Sequence, residues 1–116
     1  MNVEPKRFVN QAAQGDVFIR RVEKIPAGAA CKKQDGPVIV AHSETGHHHA
    51  FNKYEGVTYY ETNDPTIAYL SVATASVLEH MRSFDTHAAI LFEPGSYELR
   101  RPVEDIDEDE QRMVED

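Results

Sequence analysis

What most constrains this chain is its punctuation. Glycine, proline, asparagine and aspartate break it about every ten residues, and the runs between the breaks are short and rich in β-branched and aromatic side chains. Gly15-Asp16 opens Val17-Phe18-Ile19-Arg20-Arg21-Val22, in which Val17 and Ile19 face one way and Phe18 and Val22 the other. Val38-Ile39-Val40-Ala41, Val57-Thr58-Tyr59-Tyr60-Glu61, Ile67 to Val72 and His87 to Phe92 follow as further strand candidates. Ser76 to Met81 fits either a strand or one helical turn. Pro94 fixes φ and Gly95 tolerates positive φ, which predicts a type II turn with Ser96 to Arg100 returning as a hairpin partner. The pattern predicts a mainly β fold, a small antiparallel β-barrel or sandwich, without internal repeats or βαβ units.

A length of 116 residues suits one domain with one core. The expected division is a single β domain over 1–103, with 1–14 a poorly structured arm, and an acidic segment over 104–116. Of the formal charge of −8, residues 104–116 carry −7, from eight acids and one Arg, leaving −1 for the rest. The acidity is therefore a tail, either disordered or a short amphipathic helix with Asp105 and Asp107 in its first turn. A near-neutral body disfavours nucleic-acid binding through a broad basic face. The loop over 23–37 is long and basic, with Lys24, Lys32 and Lys33, and reads as a solvated loop. No run is long enough to span a bilayer, Met1 to Gln14 shows no signal-peptide h-region, and Cys31 is the single cysteine. These features predict a cytoplasmic protein without disulfides.

All six histidines lie between positions 42 and 87, and His47, His48 and His49 are consecutive. On an extended segment His47, His49 and Phe51 share one face while His48 and Ala50 take the other. His47 and His49, joined by His87 and with His42 as a fourth candidate, would offer imidazole nitrogens to a divalent transition metal: zinc, nickel, iron or copper. Glu44 or Glu55 would add an oxygen. Three nitrogens leave a coordination position open for water or a small-molecule ligand. Beside Lys53, Tyr54 and Tyr59, the same histidines would suit a small anion or carbonyl compound. Two plainer readings stand next to these: partly buried, hydrogen-bonded histidines with His48 in solvent, and an adventitious metal site.

Other chemistry has weaker support. None of Ser43, Ser71, Ser76 and Ser83 occupies a Gly-x-Ser-x-Gly turn, and no phosphate loop or dinucleotide fingerprint occurs. Cys31 next to Lys32 and Lys33 reads as an incidental thiol. The residues leave open whether the protein is an enzyme.

Three resemblances follow. Gly15-Asp16-Val17-Phe18-Ile19, Thr45-Gly46-His47-His48-His49 and Pro94-Gly95-Ser96-Tyr97 resemble a set of small uncharacterised phage and bacterial proteins over residues 15–101, and this likeness implies no activity. His47, His49 and Glu55 are similar to the cupin metal motif, which implies a metal-binding barrel. Here Gly46 abuts His47, and Ser96-Tyr97 follows Pro94-Gly95 where a cupin has histidine, so His87 would have to supply the further ligand. Asp16 to Glu23, a long loop and Gly36-Pro37-Val38-Ile39-Val40 resemble the chaperonin co-factor barrel, which implies a small barrel alone. Two functions are expected from different classes: a metal- or ligand-binding β protein, or a non-enzymatic interaction or assembly module, in either case as a homodimer.

Overall fold

A computed structural model of the chain describes residues 5–41, 48–80 and 89–102. Ten strands and no helix occur among them: β1 (Gln11–Gln14), β2 (Val17–Val22), β3 (Ala30–Cys31), β4 (Val38–Ala41), β5 (His49–Phe51), β6 (Val57–Glu61), β7 (Ile67–Val72), β8 (Ser76–His80), β9 (Ile90–Phe92) and β10 (Gly95–Arg100). They form two antiparallel sheets, ordered β1-β2-β10-β7-β6-β3 and β4-β5-β8-β9. No closed barrel forms among the described residues. The expected acidic tail or helix over 104–116 lies outside them.

Alternation explains which face each strand buries. Val17 and Ile19 are buried while Phe18 is exposed, and Ala68, Leu70 and Val72 are buried while Ile67, Tyr69 and Ser71 are half-buried. Val40, Phe51, Leu78, Ile90 and Phe92 from the smaller sheet meet Val17, Ile19, Leu70, Tyr97 and Leu99 from the larger in one hydrophobic core. The undecided run at Ser76 becomes β8 because it pairs on both sides, with β5 and β9.

Three expectations are corrected. First, β9 and β10 are not a hairpin: they lie in different sheets, and Gly95 has φ 154 in place of the roughly +80° of a type II turn. The segment is a corner between sheets because Phe92 and Tyr97 both enter the core, with ring centroids 4.7 Å apart. Tyr97 Oη donates to Glu93 O at 2.5 Å and accepts from Arg21 Nη2 at 2.9 Å, while Arg21 Nη1 donates to Pro94 O. Second, the stretch over 1–14, expected to be a poorly structured arm, carries β1 at its end. Gly15 (φ 59) is the first central residue of a two-residue hairpin turn, where a type II′ turn requires positive φ. Lys6 bridges to Ile90, and the Phe8 ring meets that of Phe92 edge-on at 5.3 Å. Third, the basic loop contains β3, so Cys31 lies on an edge strand paired with Tyr60.

Candidate functional site

Among the sequence-predicted metal ligands, the described residues include His49; His42, His47 and His87 lie outside them. His49 opens β5, an inner strand between β4 and β8, opposite Ala41 on one side and His80 on the other. Strand alternation puts it on the face of Phe51, as expected, and both are buried. Its position therefore lies between the sheets.

A buried polar chain fixes how His49 is held. Gln14 on β1 is 1% exposed; its Nε2 donates to Leu78 O at 3.0 Å, and its Oε1 lies 2.8 Å from His49 Nδ1. A carbonyl oxygen only accepts, so the amide nitrogen must face Leu78 and the amide oxygen must face the imidazole. His49 Nδ1 then carries the proton. In the neutral ring the lone pair is on Nε2, the atom that would accept a hydrogen bond or bind a metal. Gln14 thus links β1 of one sheet to β5 and β8 of the other.

The other expected partners are dispersed. Tyr59 is buried and takes a hydrogen bond from Arg101, while Lys53, Tyr54 and Glu55 are exposed in the turn after β5. Among the described residues no group of three or more His, Cys, Asp or Glu side chains could hold a metal ion.

A cleft of about 480 Å³ opens between the sheets, walled by Lys32, Val40, Tyr59, Asp64, Ile67 and Arg101 among others. Arg101 spans it: Nη1 donates to Val40 O and to Tyr59 Oη, and Nε and Nη2 both donate to Pro65 O. This guanidinium ties the end of β10 to both sheets. Its main contribution is structural.

One family model, described as a domain of unknown function (DUF8820), matches residues 13–102. The chain belongs to that family. The match spans the β strands from the end of β1 through β10 and stops before the acidic segment. No curated protein and no solved structure matches the chain. No helix among the described residues of this DUF8820 domain is long and apolar enough to cross a membrane.

Glu98, on the outer face of the larger sheet, is a buried carboxylate. Its Oε1 accepts from Arg20 Nη2 at 3.2 Å and Arg100 Nε at 3.1 Å, and Oε2 accepts from Tyr69 Oη at 3.2 Å. Burial pushes this carboxyl up, but the hydrogen bonds and charges of Arg100 and Arg20 outweigh burial and hold it below the ordinary glutamate range. A carboxylate so fully paired is a clamp across three strands, ill suited to accepting a proton in catalysis. Its depressed folded-state value means that its contribution is complete above the ordinary glutamate range and is lost as pH falls through the folded value. Urea midpoints for wild type and Glu98→Gln should therefore converge as pH is lowered from neutral into the acid range; a gap that stays constant with pH would refute the clamp.

The sequence pattern does not point to Gln14. A turn signal is present in Gly15-Asp16, a two-residue turn with a run on each side, but Gln-Ala-Ala-Gln lacks β-branched residues and does not read as a strand.

Proposed function

We propose that this domain binds a divalent transition metal (zinc, nickel, iron or copper) through His49 Nε2, with His47 and His87 as the remaining nitrogen donors and His42 as a fourth candidate. The observation that supports this reading is the Leu78–Gln14–His49 chain. A metal-binding histidine characteristically donates its other ring N–H to a fixed acceptor, which sets the tautomer and orients the ring. Gln14 Oε1 supplies such an acceptor. Three imidazoles would leave room for water or a small-molecule ligand, so the site would suit either ligand capture or metal-assisted chemistry. With a single exposed cysteine in the chain, the proposed setting is the reducing cytoplasm.

Elemental analysis of the full chain, made without an affinity tag, tests the reading. About one metal per chain is expected, and His49→Ala should lose it. Gln14→Ala should weaken metal binding about 10–100-fold by releasing the tautomer. A purely structural Gln14 would instead lower thermal stability and leave metal affinity unchanged. Absence of bound metal, together with no affinity better than roughly micromolar, ends the proposal.

A further inference from the structure

Two sheets have four outer edges, and an uncovered edge is a template for another strand. Three of the four are blunted. On β4, the Gln34 side chain accepts from Ile39 N at 3.0 Å and donates to Ile39 O at 3.2 Å, and Arg101 Nη1 donates to Val40 O at 2.6 Å. On β9, Lys6 N donates to Ala89 O at 2.7 Å and Leu91 N to Lys6 O at 2.9 Å, so the N-terminal segment covers the edge. On the larger sheet, β3 has two residues and is followed by Lys32 and Lys33. β1 is different. Its sequence, Gln-Ala-Ala-Gln, has neither charge nor proline, and no strand among the described residues pairs with its outer side.

The hydrogen-bond parity of this edge is fixed. Gln14 faces Val17 across the two-residue turn, and Arg21 N donates to Asn10 O at 2.8 Å. Antiparallel alternation then directs the backbone groups of 10, 12 and 14 toward β2, and those of Gln11 and Ala13 outward. Gln11 and Ala13 are both exposed.

We propose that two copies of this chain pair antiparallel through β1 about a twofold axis at Ala12, joining their larger sheets into one. Gln11 of each copy then faces Ala13 of the other and exchanges both backbone hydrogen bonds with it. Ala12 meets Ala12 of the second copy as the close, non-hydrogen-bonded pair, where a small side chain fits. On the outer face, Gln11 and Ala13 together with Phe18, Arg20 and Arg100 border a hollow of about 520 Å³, and Phe18 is 60% exposed there. Gln11 of the second copy falls opposite Ala13, beside that hollow. The pairing is independent of the metal reading.

Sedimentation equilibrium on the full chain, with circular dichroism melts as a check on folding, tests the proposal. Wild type should be a dimer in the micromolar range. Ala13→Pro removes an outward N–H at an edge position where proline is tolerated, and should give a monomer with an intact melt. If that variant fails to fold, Gln11→Glu with Ala13→Glu decides: like charges then lie directly opposite, and the dimer should weaken about tenfold. Gln11→Lys with Ala13→Glu places opposite charges there and should restore it. A wild type that stays monomeric up to about 100 µM overturns the proposal, as does a dimer insensitive to these changes.

Discussion

Phe92→Ala should lower the unfolding free energy by about 3–5 kcal/mol, the largest single loss expected in this molecule. Phe92 is fully buried, and its ring centroid lies 5.3 Å from Phe8, 5.1 Å from Phe51 and 4.7 Å from Tyr97, with the rings steeply inclined to one another. Edge-to-face contacts of this kind contribute about 0.5–1.5 kcal/mol each beyond the area they bury. The four rings come from the N-terminal segment, β5, β9 and β10, so truncation opens a cavity where both sheets meet. Phe92→Leu refills part of that space and should cost clearly less. Urea unfolding would show the loss as a lower midpoint at unchanged slope. A cost below about 1 kcal/mol for the alanine variant would contradict this account of the core.

Gly95→Ala should cost about 2–4 kcal/mol, from backbone strain and a broken hydrogen-bond bracket together. With φ at 154, Gly95 occupies a region that residues with a Cβ rarely adopt. A Cβ there would also collide with Arg21 Nη1. Arg21 swings away at little steric cost, but it then gives up Val9 O, Pro94 O and Tyr97 Oη, the acceptors that hold the corner shut. The two sources separate in a double-mutant cycle. In an Arg21→Ala background Gly95→Ala should cost less, because only the backbone strain remains. Strict additivity would show that the bracket plays no part.

How far the sequence discloses this structure depends on the range of the forces involved. Alternation in Val17–Val22 and Ile67–Val72 is local, so those strands and their buried faces are legible directly. Whether Phe92 and Tyr97 sit on paired strands or on opposite sheets depends on where the whole chain returns; Pro94-Gly95 looks the same to a local reading either way. Strand β1 is hidden for another reason. Its residues have little β propensity, and the turn at Gly15 together with pairing to β2 imposes its conformation. For the candidate site, the shared face of His49 and Phe51 is legible from spacing alone. The acceptor on Nδ1 is not, because Gln14 lies 35 residues upstream and meets His49 only once the sheets stack.

Gln14 is expected to hold His49 with its proton on Nδ1, leaving Nε2 as the proposed ligand atom, and long-range nitrogen–proton correlation NMR of the tag-free chain reads this directly. The expected spectrum shows a protonated, pyrrole-like Nδ1 and a pyridine-like Nε2 for His49 at neutral pH, with the Nε2 resonance moving on addition of zinc and Gln14→Ala mixing the tautomers. A proton on Nε2, or a His49 spectrum unchanged by zinc, would contradict it.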